Sequence, residues 1–457
     1  MSDQSPPQSP QPIFDPNAEH QQKPKLRKVR GMPVPVNGPD GKQMVMIGIT
    51  DAQQVSSKMI VTHPAFQGVL PLMDGSRDID QIIAEVGKGL ERPMLEQLIA
   101  QLDDAGLVFG PNYEAMLAQM HADFDEADLL PPGVSAQFAE HLVPQQDGVE
   151  MSTEDRRAKA PDALRSAMDQ WIEAALKDAE NPSFDTLPKA IVAPHVDYIR
   201  GWMNYANVYG RMRVVDRPDR IIILGTNHFG MASGVCGCDK GYESPLGVCE
   251  VDTDVIDALK TALGTENAAK LFENRYDHEN EHSIELHIPW IQHIFGFDDA
   301  GKAPKVFGAL IHDPVVNEGK SYDGKGLDLD PFVEALTKVL DTLPGTTLVI
   351  SSADLSHAGP AFGDPESLAG DTPEDNERRA KIAAHDQEML ALVVERRMDD
   401  LIGSMSWQQN PTRWCSVGNL TATVRAVNPE RVELLNYAAA MDPQGTTLVS
   451  SAAMAMY

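Results

Sequence analysis

The stretch that decides the fold is RIIILGTNH at 220–228, an apolar run that ends abruptly in small and polar residues. The same design recurs in AIVAPH at 190–195 and in TLVISSADLSH at 347–357. Helical patterns separate these runs along the chain. Near-continuous apolar strands between helices are typical of a sheet that is covered on both faces. We therefore predict that residues 186–457 form an α/β domain with three layers, α/β/α.

Each of the three apolar runs is followed closely by a histidine: His195, His228 and His357. In open α/β sheets, binding and catalytic sites gather beyond the carboxyl ends of the strands. One histidine in such a place is most often structural, whereas three from separate strands favour a shared site. Because imidazole binds Zn, Cu, Fe and Ni, we expect a metal ion at the centre of this site.

Cys415 lies in PTRWCSVGNL, just before an apolar helical pattern. A cysteine near the N-terminus of a helix has a lowered pKa, so it is available as a thiolate that binds metals or attacks electrophiles. The alternative is a small buried hydrophobic residue, which is the commonest fate of a free cysteine. Taken alone, the residue favours that second interpretation.

The pentapeptide HENEH offers a competing metal motif, H-E-x-x-H, with His278 and His282 as zinc ligands and Glu279 acting on the bound water. That chemistry needs both histidines on one face of a continuous helix. The residues before the motif are polar, and the apolar helical period begins only at Ile284, with Pro289 suited to a first helical turn. A loop leading into a helix is favoured, and a zinc hydrolase is the weaker alternative.

Composition and charge exclude several classes of protein. Four cysteines in 457 residues do not make a disulfide framework, so we expect a reducing, cytoplasmic setting. Cys236, Cys238 and Cys249 lack a C-x-x-C pair, which leaves a separate zinc site as a weak alternative. A formal net charge of −30 argues against nucleic acid and anionic membranes as partners. We also expect no signal peptide and no membrane span, because residues 1–20 lack its basic and apolar regions and no apolar run approaches the roughly 20 residues that span a bilayer.

The residues before the α/β domain divide into three predicted segments. Residues 1–30, rich in Pro, Gln and Ser with a basic end, are predicted to be a disordered tail. Residues 31–115 are predicted to be a small α+β domain, with two amphipathic helices and a short strand at 107–109 in winged-helix order. Residues 116–185 are predicted to be a helical connector.

Within the small domain, LMDGSRDIDQIIAEV and LEQLIAQLDDAGLV resemble the PqqD-like domains that hold peptides beside radical enzymes. The resemblance implies that residues 31–115 capture a peptide or a partner protein.

The larger domain carries the blocks APHVDYIRG, LGTNHFG, EHSIELHIPW, SSADLSH and VSSAAMAMY, together with the lone Cys415. Taken in this order, they resemble the Memo-like proteins, a group called AmmeMemoRadiSam system protein B in bacteria and archaea. The fold of that family is similar to that of the class III extradiol dioxygenases, which are non-haem iron(II) enzymes. The resemblance implies the same fold for residues 186–457.

The resemblance also implies roles for individual residues. A metal would be held by the ligands His195, His228 and Cys415. The same pocket would be lined by the catalytic candidates Asp354 and His357, and His282 would approach it from the side.

The chain departs from the family pattern at CSVGN, where the family commonly continues Cys-Gly-Arg after the cysteine, and at Asp197, where many relatives carry glycine. A carboxylate there is expected to hydrogen-bond the imidazole of His195 and to fix its orientation.

Two hypotheses of different classes follow. The first hypothesis is a metal-dependent redox protein that acts on a small-molecule or peptide substrate. Two histidines and a thiolate leave coordination positions open on the metal. These ligands suit Fe(II) or copper, with zinc as an alternative. In this hypothesis, His357 or His282 would move protons. The second is a non-catalytic partner of a radical SAM protein and an AMMECR-type protein, which the resemblance implies.

Overall fold

The computed structural model describes residues 11–37, 43–87, 89–144 and 151–457. The chain forms two compact units, with the boundary between Ala127 and Asp128. This boundary lies inside the segment 116–185 that was predicted to be a separate connector. Each end of that segment therefore belongs to a different unit, and the helical connector stays a prediction.

The N-terminal unit combines a small antiparallel sheet with helices, in line with the predicted α+β content. Its strands pair in the order β1 (Val29–Asn37), β2 (Gln43–Asp51) and β3 (Ile60–Thr62). Its helices are α1 (Glu19–Gln22), α2 (Ile79–Val86), α3 (Arg92–Asp104) and α4 (Pro111–Glu126). The predicted strand at 107–109 is wrong, because Val108 makes an isolated bridge with Leu26. The winged-helix assignment stays a prediction.

The predicted disordered tail does not extend to residue 30. Residues 1–10 lie outside the described part of the chain, but α1 and β1 begin within 11–30. Arg27 is fully buried, with its Nη1 atom 2.8 Å from Asp51 Oδ2 and 2.9 Å from the carbonyl oxygen of Gly106. Composition misled here, because a guanidinium group can be buried when an ion pair and carbonyl groups satisfy it.

Replacing Asp51 with Asn is expected to destabilise the N-terminal unit by about 3–5 kcal/mol, because the buried Arg27 charge would lose its counter-ion. Hydrogen–deuterium exchange of the β1 and β2 amides measures this change. The control is Asp104→Asn, which removes an exposed pair with Lys58 and should cost less than about 1 kcal/mol. Unchanged exchange in Asp51→Asn would contradict the prediction.

The C-terminal unit is built around a mixed sheet. Its strands in the described residues are β5 (Ala190–Ala193), β6 (Arg220–Thr226), β7 (Cys236–Gly237), β10 (Lys305–Ile311), β11 (Thr347–Ser352), β12 (Asp354–Ala358), β13 (Val432–Met441) and β14 (Leu448–Met456). They follow the order β12-β14-β5-β11-β6-β10-β7, and β13 pairs with β14. A small second sheet pairs β4 (Leu129–Leu130), β8 (Gly241–Ser244) and β9 (Gly247–Cys249).

Helices surround this sheet, as the apolar strands predict. Every residue of β6 is buried, so both faces of the strand are covered. Ile222 and Leu224 join Phe332 and Leu336 in one core cluster, and the intervening Ile223 points to the opposite face. The helices are α5 (Val134–Leu142), α6 (Thr153–Leu176), α7 (Tyr198–Tyr209), α8 (Thr253–Glu273), α9 (His282–Glu285), α10 (Ile288–Phe295), α11 (Pro314–Asn317), α12 (Leu329–Thr342), α13 (Pro373–Val394), α14 (Met398–Trp407) and α15 (Val417–Val427).

The strands that matter for function are neighbours. β5 pairs with β11 and β11 pairs with β6, all in parallel, so their carboxyl ends meet at one edge of the sheet. The α/β fold class is therefore confirmed, with antiparallel strands added at the sides of the parallel centre. No helix in the described ranges is long and apolar enough to cross a membrane.

Candidate metal centre

Two histidines and a cysteine converge beyond the carboxyl ends of the parallel strands. His195 follows β5, His228 follows β6, and Cys415 lies two residues before α15. Their ligand atoms all lie within 4.8 Å of one another, and His195 Nε2 is 3.3 Å from Cys415 Sγ. Such a group can hold a metal ion, and it unites positions far apart in the sequence.

Hydrogen bonding determines which nitrogen of His195 faces the cysteine. Its Nδ1 atom lies 3.0 Å from Ser352 Oγ, and that hydroxyl lies 2.5 Å from the carbonyl oxygen of Ser283. The single hydroxyl proton of Ser352 goes to the carbonyl, so the hydroxyl accepts from Nδ1–H. Nε2 then carries the lone pair. Burial lowers the pKa of His195 well below its ordinary value, which keeps the ring neutral and able to bind a metal.

The expected partner of His195 was Asp197, and that prediction is wrong. Asp197 is the N-cap of α7, where its carboxylate accepts from the backbone amide of Arg200 and pairs with the Arg200 side chain at 2.5 Å. The carboxylate is thus used to begin the helix, which the sequence pattern D-Y-I-R permits equally well. Ser352, in the SSADLSH block, takes the orienting role instead.

Glu281 orients the second ligand. Its Oε1 atom lies 3.0 Å from His228 Nδ1 and 3.2 Å from His282 Nδ1, and its Oε2 atom accepts from the backbone amide of His228 at 2.8 Å. Burial alone would raise the pKa of Glu281, but the two histidines lower it well below its ordinary value. Glu281 therefore stays ionised, and both imidazoles leave Nε2 free.

His282 lies beside the ligands rather than among the three that converge. Its ring centroid is 4.8 Å from that of His228 and 5.6 Å from that of His195. Burial lowers its pKa, but the hydrogen bond and charge of Glu281 outweigh burial and raise the value above the ordinary one. His282 is thus placed to hold a proton next to the centre.

Asp354 and His357 occupy the third strand end. Asp354 Oδ1 accepts from the backbone amides of His195 and Val196, and its Oδ2 atom lies 3.5 Å from His195 Nε2. Burial raises the pKa of Asp354. His357 Nδ1 faces the carbonyl oxygens of Leu355 and Arg413 at 3.0 and 3.2 Å, so it carries the proton and Nε2 is the free acceptor.

The environment of Cys415 differs from the expectation of a lowered pKa. Burial and the nearby carboxylate of Asp354 raise the pKa of the thiol above its ordinary value, and this outweighs the nearby helix N-terminus. The thiol is therefore protonated at neutral pH unless a cation replaces the proton.

Asp386 is a residue of the site's framework that the sequence did not reveal. Its fully buried carboxylate accepts hydrogen bonds from four side chains on different elements: Ser356, Trp414, Tyr437 and Ser450. Trp414 directly precedes Cys415, and Ser356 directly precedes His357. Asp386 thus holds together two segments that carry site residues.

The H-E-x-x-H reading is wrong. His278 is the last residue of a 3₁₀ helix, and His282 is the first residue of α9, so the two histidines do not lie on one continuous helix. Both ring nitrogens of His278 are used: Nδ1 lies 3.1 Å from the Tyr242 hydroxyl, and Nε2 lies 3.2 Å from the carbonyl oxygen of Cys236. His278 is therefore engaged by hydrogen bonds at both nitrogens and belongs to no possible metal-binding group in the described residues, so a zinc hydrolase built on Glu279 lacks its first ligand.

The remaining cysteines also form no metal-binding group in the described residues. Cys236, Cys238 and Cys249 are buried, and burial raises the pKa of each thiol. They behave as small core residues.

Comparison with known proteins shows which family the chain matches. Residues 158–457 match the sequence model of the Memo-like protein family, from within α6 to the end of the chain. The chain belongs to the Memo-like family. A MEMO1 family protein of Methanopyrus kandleri is 27% identical over 295 residues, which cover 62% of this chain and 89% of that protein. A MEMO1 family protein of Aquifex aeolicus is 24% identical over 374 residues, covering 80% and 83% respectively.

For this Memo-like protein, replacing Ser352 with Ala is expected to weaken metal binding roughly 10–100-fold, because His195 would lose the acceptor that selects its tautomer. Calorimetric titration of the purified protein with Fe(II), Cu(I) or Zn²⁺ measures the metal affinity. Ser351→Ala is the matched control: it removes a buried neighbouring hydroxyl that has no hydrogen-bond partner. Asp197→Asn should also leave the affinity unchanged. Equal effects in Ser352→Ala and Ser351→Ala would contradict the assignment.

Metal binding is expected to release about one proton from Cys415, since the thiol is protonated without a cation and must ionise to bind. His195, with its lowered pKa, is already neutral and contributes little. The affinity should therefore rise about tenfold per pH unit between about pH 6 and 8. Titrations in buffers of different ionisation enthalpy count the protons. Cys415→Ser should abolish the slope, and a pH-independent wild-type affinity would refute the thiolate ligand.

Proposed function

We propose that this Memo-like protein is a metal-dependent redox protein whose ion is held by His195, His228 and Cys415. The observation that carries the proposal is the convergence of two imidazole nitrogens and one thiol within 4.8 Å. Donors bound to one ion at about 2.1 Å for nitrogen and 2.3 Å for sulfur lie about 3.3–3.6 Å apart. The 3.3 Å between His195 Nε2 and Cys415 Sγ fits that requirement.

The donor set narrows the choice of metal. Two neutral imidazoles and a thiolate suit Fe(II) or copper, and they suit zinc as well, whereas Mg²⁺ prefers oxygen ligands. Three protein donors leave one or more positions open, as a reactive metal requires. Iron or copper is favoured over zinc for the redox function because zinc does not change its oxidation state.

When bound, an iron or copper ion would supply one-electron chemistry and act as a Lewis acid. The protein would supply the proton transfers. His282, with its raised pKa, is suited to donate a proton, and His357, with Nε2 free and its pKa lowered by burial, is suited to accept one. Asp354 would hold the His195 backbone and present its second oxygen to the same pocket.

The fold supports a relation to the class III extradiol dioxygenases, since the proposed centre lies where parallel strands of an α/β sheet end. A small molecule or a peptide would be the substrate. The alternative, a non-catalytic partner of a radical SAM protein, predicts metal binding without turnover.

His195→Ala is expected to lower metal affinity by at least about 100-fold, because it removes a ligand and leaves Cys415 beside an unfilled space. Anaerobically purified protein is analysed for its metal content and then titrated with Fe(II), Cu(I) and Zn²⁺. Oxygen uptake with catechols and thiols is measured for each loaded form. His63→Ala, an exposed histidine of the N-terminal unit, is the control and should change nothing.

Oxygen uptake that depends on the metal and vanishes in His195→Ala would support the redox function. Tight binding without uptake would favour the assembly role. Absence of binding to all three ions would remove the proposed centre itself.

A further inference from the structure

Four aromatic side chains lie close together in the C-terminal unit, on α6, α7 and α10. We call Tyr205, Tyr209, Trp290 and Trp171 the aromatic relay. The Trp290 ring stacks on Tyr205 with centroids 5.7 Å apart and on Tyr209 at 5.5 Å, with interplanar angles of 6° and 18°. Trp171 follows at 6.2 Å from Trp290 and is partly exposed. Successive oxidisable rings thus lead from the buried interior toward solvent.

One member of the relay has a base within hydrogen-bond distance. The Tyr209 hydroxyl lies 2.9 Å from His287 Nδ1, and both residues are fully buried. Burial lowers the pKa of His287 to about 3, so its ring is neutral and can accept the phenolic proton. His287 Nε2 and Trp290 Nε1 are buried without a hydrogen-bond partner. Such orphaned polar atoms are costly in a core that serves packing alone.

The relay also reaches the proposed metal centre through the protein backbone. The Tyr205 hydroxyl donates to the carbonyl oxygen of Val196 at 3.3 Å, and Val196 directly follows His195. The Val196 amide in turn donates to Asp354. A continuous covalent and hydrogen-bonded connection therefore joins the metal-binding residue to the first ring of the relay.

We propose that Tyr209 and His287 form a redox-active pair that removes oxidising equivalents from the metal centre through the aromatic relay. The proposal rests on the redox function argued above. In the step, Tyr209 loses one electron to a one-electron oxidant at the centre, relayed through the stacked rings. Its phenolic proton moves to His287 Nδ1, which leaves a neutral tyrosyl radical and an imidazolium. A soluble thiol or an ascorbate-type reductant returns one electron through Trp171, and the proton moves back to the phenolate oxygen.

The test uses the full-length, metal-loaded protein and a ruthenium polypyridyl photo-oxidant, with freeze-trapped radicals measured by electron paramagnetic resonance. Wild type is expected to give a tyrosyl signal. Tyr209→Phe keeps the stacked ring but removes the hydroxyl, and His287→Leu removes the base. Each should lower the signal about tenfold, because Tyr209→Phe loses the phenol that is oxidised and His287→Leu loses its hydrogen-bonded proton acceptor. Near-ultraviolet circular dichroism and metal titration verify that the variants are folded.

A second buried tyrosine provides a matched control. The Tyr242 hydroxyl also lies 3.1 Å from a histidine nitrogen, in His278, but its ring is not among those stacked on Trp290. Tyr242→Phe should keep the radical signal at the wild-type level. A full signal in Tyr209→Phe, or an equal loss in Tyr242→Phe, would overturn the proposal.

Turnover separates this inference from the proposed function. If the metal-loaded wild type consumes oxygen, the Tyr209→Phe variant should be inactivated after several-fold fewer turnovers than the wild type. Oxygen uptake with equal lifetimes and no tyrosyl signal would refute the relay alone. A metal that fails to bind would refute the proposed centre, and the same photo-oxidation of the metal-free protein would then decide whether the Tyr209–His287 pair is redox-active.

Discussion

Parallel pairing of β5, β11 and β6 is the constraint on which the candidate centre depends. Because the three strands run in one direction side by side, the residues that follow them emerge at a single edge of the sheet. His195, Asp354 and His228 therefore meet although they lie far apart along the chain. If any one of these strands ran in the opposite direction, its polar residues would lie at the opposite edge of the sheet and the side chains of the candidate centre would no longer meet.

Once the strands have brought the side chains together, buried hydrogen-bond acceptors decide how the imidazoles point. Ser352 accepts from His195, and the carboxylate of Glu281 accepts from His228 and His282. His357 donates to backbone carbonyls in the same way. In every case Nδ1 is the donor, so a neutral ring keeps its lone pair on Nε2, and His282, with its raised pKa, can hold a second proton there. A common tautomer among these rings is what a metal centre with nearby proton carriers requires.

Burial sets the charge of the centre. It lowers the pKa of His195 and raises the pKa of Cys415, so both favour their neutral forms in the absence of a cation. Glu281 is the exception, since its paired histidines compensate for burial and keep it ionised. The site is therefore prepared to exchange a thiol proton for a metal ion while an anionic carboxylate stabilises the added positive charge. The net charge of the whole chain has little bearing on this balance.

The sequence by itself determined the α/β class and the main strands, and it indicated the histidines at the strand ends, whereas Cys415 became a candidate ligand only through the family resemblance. Apolar runs with histidines at their ends are local patterns, and local patterns can be recognised in the sequence without knowing the fold. It did not determine that Ser352, rather than Asp197, orients His195, nor that His278 faces Tyr242 and Cys236. It also hid the roles of Asp386 and of buried Arg27. Those outcomes depend on which distant side chains meet, and only the tertiary structure decides that, because hydrogen bonds and burial act between residues that the sequence separates.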